Sequence, residues 1–408
     1  MLHISSKIKD YSVEMVDGIL DKRELLDKVP HSRCFFFIDK AVYNLYKKQI
    51  AAFVGNDFYV LIDAKETNKE YSALLRYYEL LIANKFTRSD LLVTIGGGIL
   101  QDISGFIAST LYRGLKWAFI PTTLLAQADS CIGSKTSINL GMRKNMIGTF
   151  YPPDIIFIDT AFCETLTDGY FNSGLGEIIK FHLQSDAKGY KTLTDYLASE
   201  RPRDPALLKK MILSTLKIKQ SYFEEDEFDS GRRNLLNYGH CFGHALESAS
   251  EFSVNHGEAV IAGMGFANLV SLHRGIITPE KYREFESILR AHYPQFDFGT
   301  ITAEDIITYL KQDKKRVGCG LTMILSADVG KQRKYDDLTE DEVRSVFDEF
   351  TGNYPRMTGV KSAGRAKAAA TAGAAKKPAT SVSRAAGKPA AKTNRSPARR
   401  PAKRQVRK

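Results

Sequence analysis

The strongest constraint on the fold is an alternation between residues 33 and 120. Short apolar runs at Arg33–Asp39 (RCFFFID), Phe58–Asp63 (FYVLID), Leu91–Ile95 and Lys116–Ile120 are separated by segments of helical spacing at about 40–50, 69–86 and 100–112. Unbroken apolar strands joined by amphipathic helices call for a parallel sheet covered on both faces. Open sheets of this kind bind ligands beyond the carboxyl ends of their strands. The first such loop is Gly96-Gly97-Gly98, followed by a helix with Asp102 in its first turn. Glycines let a phosphate approach the backbone, and a helix start offers free N–H groups. Pro121-Thr122-Thr123 places two hydroxyls at the same edge. Asp129, Lys135, Lys144 and Asn145 follow in loop-like sequence, where cations read either as anion ligands or as a solvated basic loop.

From about Ala161 the pattern turns helical, with helix-like spans at 161–200, 204–223, 234–250, 257–274, 279–292 and 303–313. Within them, Gly231–Val260 holds three of the eight histidines. His240 and His244 are four apart and share a helix face, Glu247 continues that face, and His256 follows in a turn-like run. Two imidazoles with a third nearby can present nitrogen to a divalent metal, and Glu177 is the best fourth donor, with Lys180 one turn on. A satisfied polar helix face is the competing reading. Against it stand Arg233, Asn237 and the histidines, crowded among apolar neighbours where burial of donors is costly.

A chain of 408 residues accommodates two domains. The five cysteines are scattered and form no CxxC, and MLHISSKIKDYSVEM lacks a signal-like apolar core, so a reducing cytoplasm is expected. No apolar run is long enough to span a membrane. The net charge of +11 is uneven: residues 356–408 carry sixteen Lys plus Arg and no acid, and 11 − 16 leaves −5 for residues 1–355. That Ala/Lys/Pro-rich tail has almost nothing apolar to bury, so disorder is expected there, and its charge fits nucleic acid or another polyanion.

Taken in order, GGGILQDISGFIAS (96–109), YRG (112–114), IPTTLLAQADSCIGSKTSIN (120–139), KNMIGTFYPP (144–153), GLGEIIK (174–180), RNLLNYGHCFGHALE (233–247) and HGEAV (256–260) resemble the 3-dehydroquinate synthases. The resemblance covers about residues 33–350. It lies within a wider group of sugar-phosphate cyclases that make deoxy-scyllo-inosose and valiolone. It implies an α/β protein: a Rossmann-like parallel-sheet domain binding NAD over 1–160, a mainly helical metal-binding domain over 161–355, and the basic tail over 356–408. It also implies a homodimer and an NAD- and zinc- (or cobalt-) dependent lyase of the shikimate pathway. That enzyme converts 3-deoxy-arabino-heptulosonate 7-phosphate to 3-dehydroquinate by transient oxidation, phosphate elimination, reduction and intramolecular aldol closure.

By the same resemblance Glu177, His240 and His256 bind the metal, which moves His244 from metal to substrate. NAD lies on Glu66, Lys69, Gly97, Gly98, Asp102, Thr122, Thr123, Lys135, Lys144, Phe162 and Thr165. Asp129, Lys135, Lys180, Lys219 and His244 are expected in catalysis. Arg113, Asn145, Arg233, Asn237 and Lys314 are expected on substrate. The sequence departs from the family at Ala64, Gln101, Tyr151-Pro152-Pro153, Gly176 and Asp229. In the family the arginine at 233 faces a substrate carboxylate, which sedoheptulose 7-phosphate and glucose 6-phosphate lack. The rival readings are a sibling cyclase on one of those sugars, a metal-dependent alcohol dehydrogenase that would accumulate NADH, and a nucleic-acid-binding protein built on the tail.

Overall fold

The computed structural model describes residues 1–141, 143–312 and 320–354, all within one compact unit. The expectations for Lys314 and for the tail fall outside the described residues. Seven strands form the main sheet: β1 (Leu2–Ile4), β2 (Tyr11–Met15), β3 (Cys34–Asp39), β4 (Phe58–Ile62), β5 (Leu91–Gly96), β6 (Lys116–Pro121) and, beyond a separate hairpin of β7 (Lys135–Leu140) and β8 (Arg143–Phe150), β9 (Ile155–Ile158). Their order is β1-β2-β9-β6-β5-β3-β4, and every pairing is parallel except β1 with β2.

The apolar runs are continuous because each strand feeds two cores. In β3, Phe36 and Ile38 face α1 (Lys40–Leu45) and α2 (Lys47–Val54), packing with Ile50, Phe53 and Val54. Phe35 and Phe37 face α3 (Tyr71–Ala83) and α4 (Gly98–Thr110), packing with Leu74, Tyr77, Ile103 and Ile107. The period of two along a strand sorts neighbouring residues to opposite faces.

The remainder is helical: α5 (Asp168–Leu183), α6 (Ala187–Leu197), α7 (Pro205–Glu225), α8 (His240–Ala249), α9 (His256–His273), α10 (Pro279–Arg290), α11 (Ala303–Lys311) and α12 (Glu340–Asn353). The long span expected at 161–200 is two helices. Asp186 ends one segment and caps the next by accepting from Gly189 N. A hairpin absent from the sequence reading, β10 (Leu321–Ser326) with β11 (Gln332–Leu338), packs among these helices. α9 is buried nearly all round, from Ala259 through Ser271, so it is the central helix.

Candidate active site

The metal-type residues are assembled by close helix contacts. Gly239, at φ +79, turns a short 3-10 segment (Arg232–Asn237) into α8, so His240 opens that helix. His256 opens α9, and Ser173 of α5 caps that start, its Oγ accepting from Gly257 N at 3.1 Å. A Cβ on Gly257 would lie 1.8 Å from Ser173 O, and one on Gly176 2.2 Å from Gly257 O. α5 and α9 therefore touch backbone to backbone, and Glu177 is delivered beside His256. This also accounts for glycine at 176, one of the departures noted in the sequence.

Glu177 is fully buried, with Oε1 3.4 Å from His240 Nε2 and 3.2 Å from His256 Nε2, and Oε2 2.5 Å from Lys180 Nζ. Neither oxygen accepts a well-directed hydrogen bond from a described residue. His240, His244 and His256 offer ligand atoms all within 4.8 Å of one another. The structure thus gathers all three histidines and the glutamate. Burial would raise the Glu177 carboxyl, but Lys180 and His240 outweigh it and hold it well below the usual range. Burial would lower His256, but Glu247 and Glu177 push it up to about 10. An oriented set of imidazoles around a buried carboxylate lacking directed donors fits a divalent cation.

Glu247 was given no role in the sequence reading. It sits three residues after His244 and meets His256 Nδ1 at 3.2 Å, the outer partner a ligating imidazole requires. Its position on the histidine face was the available signal.

At the carboxyl edge of the sheet, β5 ends at Gly96 and α4 begins at Gly98. Thr123 flanks the loop, 3.0 Å from a Cβ built on Gly97. Thr122 Oγ1 is buried and accepts or donates no hydrogen bond among the described residues. Phe162 is buried at the same edge against Tyr46, whose hydroxyl meets Thr165 Oγ1 at 3.0 Å. Asp39, also missed, ends β3 beside Gly96, and burial pushes its carboxyl up. A bare glycine loop, a helix start and an orphaned hydroxyl suit a phosphate-bearing ligand.

One network ties that edge to the β7–β8 hairpin. Lys69 Nζ contacts Asp102 at 2.6 Å and Asn145 Oδ1 at 2.7 Å. Asp102 accepts from Ser137 N and Oγ at 2.8 and 3.0 Å, and burial raises its carboxyl against these donors. Asn139 links Glu66, at 2.7 Å, to Asn145 N, at 2.9 Å. Lys144 Nζ lies 3.5 Å over the centroid of the Phe252 ring, in the loop after α8.

A second network holds the remaining cations. Lys219 is buried, 2.7 Å from Asp129 Oδ1 and donating to the carbonyls of Asp129 and Ile132. Burial lowers its pKa while Asp129 opposes the shift. Arg233 is buried too, donating to Gly133 O at 3.0 Å and to Glu227 O. Lys135 pairs with Asp229 at 2.6 Å. Asn237 Nδ2 donates to Asn234 O at 2.7 Å. Gln101, the departure in α4, exchanges two hydrogen bonds with Ser130, next to Asp129.

Arg113 is not brought to these networks within one chain. It follows the carboxyl end of α4, where Tyr112 donates to Phe86 O at the amino edge of the sheet. Sequence motif placed it in the pocket, but α4 carries the chain across the full sheet in between.

Residues 59–173 match the family described as 3-dehydroquinate synthase N-terminal, and residues 174–316 the one described as 3-dehydroquinate synthase C-terminal. The 3-dehydroquinate synthase of Streptococcus equi subsp. equi is 32% identical over 357 residues, covering 85% of this chain and 98% of that protein. That of Endomicrobium trichonymphae is 34% identical over 361 residues, covering 86% and 98%. Among solved structures, a 2-epi-5-epi-valiolone synthase from Streptomyces hygroscopicus, bound to NAD+ and Zn2+, has a TM-score of 0.76 at 26% identity, with 85% of this chain and 98% of that one covered. With both halves matched in order and relatives aligned over nearly their whole length, the chain belongs to the 3-dehydroquinate synthase family.

Proposed function

We propose that this chain is a 3-dehydroquinate synthase, converting 3-deoxy-D-arabino-heptulosonate 7-phosphate to 3-dehydroquinate and phosphate with NAD+ and a divalent cation, zinc or cobalt. The observation that carries the choice of substrate is Arg233, a buried guanidinium in the cluster of Asp129, Lys219 and Gly133. A guanidinium fork suits a carboxylate, and heptulosonate phosphate has one. Glu177, His240 and His256 would hold the cation. Gly97, Gly98, Thr122, Thr123, Phe162 and Thr165 would receive the dinucleotide, with Lys69, Asp102 and Glu66 fixing its flank. When bound, the two groups supply transient oxidation of a secondary alcohol and polarisation of its oxygen. The chain's own part is orientation: His244, Lys180, Lys135 and Asn145 hold charge where the phosphate leaves, and Lys219 keeps Asp129 in place.

Purified protein with NAD+ and zinc should release phosphate from heptulosonate phosphate without net NADH. Release from sedoheptulose 7-phosphate and none from heptulosonate phosphate would make the chain a sibling cyclase. Gln101, which exchanges hydrogen bonds with Ser130, is the feature favouring that second reading.

The chain would act as a cytoplasmic homodimer in which the partner supplies Arg113, since Arg113 lies across the sheet from its own chain's cluster. Tyr112 and Arg113 are both left-handed, at φ 51 and 62, a costly presentation that needs a purpose. Co-expressed Arg113→Ala and Arg233→Leu chains should then regain activity that neither has alone. The described helices are not long and apolar enough to cross a membrane. The sixteen cations of residues 356–408 lie beyond the segments matched by the family models, which end at residue 316, and we assign them to a polyanion such as nucleic acid.

A further inference from the structure

We infer that the loop joining β1 to β2 is a positioning element for the substrate-side cations, and that it acts through Glu227. This rests on the reading of Arg233 as the partner of a substrate carboxylate. Glu227 is 2% exposed, and its carboxylate is held from outside the site. Ser6 Oγ donates to Oε1 and Lys7 N to Oε2, both at 2.6 Å. From the site itself Ser134 Oγ reaches Oε1 at 3.4 Å. The backbone carbonyl of Glu227 accepts from Arg233 Nη1, and Asp229, two positions on, holds Lys135. Glu227 therefore joins the loop on one side to both cations on the other.

A second strut comes from the same hairpin. Tyr11, at the start of β2, accepts from Gly133 N at 3.0 Å, and Gly133 O accepts from Arg233 Nη2 at 3.0 Å. The guanidinium is thus held by two carbonyls, and each belongs to a residue tied to the amino-terminal hairpin. The loop is itself stiff: Ser6 N donates to Asp10, and Ile8 N donates to Ser6 Oγ, at 2.9 and 3.1 Å. Neither Ser6 nor Tyr11 lies in the segments matched by the family, which begin at residue 59. A guanidinium that binds a carboxylate in both ground and transition states contributes uniform binding, so moving it should raise KM more than it lowers kcat.

The test uses the full chain with Ser6→Ala and Glu227→Gln, each compared with the unmodified protein. Steady-state phosphate release should show KM for heptulosonate phosphate raised on the order of tenfold, with kcat changed far less. A merely structural role would lower the amount of active protein at unchanged KM. In parallel, backbone hydrogen exchange should quicken at residues 133–135 and 229–233, with β3, β5 and β6 still protected. If the unmodified protein releases no phosphate from heptulosonate phosphate, the proposed function fails, and the exchange pattern decides the positioning role alone. An unchanged KM together with unmodified exchange in Ser6→Ala would overturn the inference, as would a fall in kcat alone.

Discussion

Replacing Gly257 by alanine tests how the metal-type site is built. The added Cβ would lie 1.8 Å from Ser173 O, with two further backbone atoms of Ser173 within 2.9 Å. A carbon and a carbonyl oxygen settle at about 3.3 Å, so α5 and α9 must separate by about 1.5 Å. Alanine gains about 0.5–1 kcal/mol of helix propensity over glycine. Overpacking of a rigid contact costs about 1–3 kcal/mol, and here the obstacle is backbone with no rotamer to yield, so the cost wins. The sharper effect is on metal. Ligand distances tolerate about 0.2 Å, and a shift several times larger parts Glu177 on α5 from His256 on α9. Gly257→Ala should lower the melting temperature by a few degrees. Metal counted by elemental analysis after dialysis should fall well below one ion per chain. A variant as stable as the unmodified protein and carrying a full complement of metal would show that this contact does not set the ligand geometry.

Glu177→Ala and His256→Ala should abolish turnover and strip the metal, whereas His244→Ala should keep the metal and lose rate; elemental analysis beside phosphate release separates them. Arg233→Leu should reduce kcat/KM for heptulosonate phosphate on the order of a hundredfold or more. For Asp226, burial opposes ionisation, but backbone N–H groups of Ser230, Gly231 and Arg233 hold its pKa at about 2. A depressed carboxyl contributes stability above its ordinary pKa that is lost as pH falls toward 2, so Asp226→Asn should flatten the acid limb of the unfolding curve between about pH 4 and 2. Deleting residues 356–408 should abolish salt-sensitive binding to duplex DNA and leave turnover intact; loss of turnover without unfolding would place the tail in the enzyme.

Four of the seven strands of the sheet, β3 to β6, were readable as continuous apolar runs, whereas β1, β2 and β9 were not read. Phe35 to Ile38 are all apolar, and no alternation hides the run. The β7–β8 hairpin was not, since Arg143, Asn145 and Met146 are exposed and the strand carries no apolar period. β11 is hidden for the same reason: QRKYDDL buries only its two ends. Within the site, the spacing of His240 and His244 announced itself. Glu177 was named as the best fourth donor from its own segment, but the contact that delivers it was not legible, because it depends on two helices meeting through Gly176 and Gly257. Arg113 shows the converse: a motif can name a residue while saying nothing of which edge of the sheet it occupies. Glu227 left no local trace, because its partners in β1–β2 are remote in sequence.

That remoteness has a consequence for how the chain is made. Ser6 and Glu227 are 221 positions apart, and β2 pairs with β9 rather than with any strand that follows it soon after. At about 5–20 residues per second, the ribosome takes roughly 10–40 s between exposing the first residues and completing the surface they dock on. Until β9 has been made, Val13 and Tyr11, both buried in the finished sheet, have only β1 beside them and lack the strand on the other edge of β2. Refolding from denaturant should therefore be slow, limited by this non-local closure rather than by the helices.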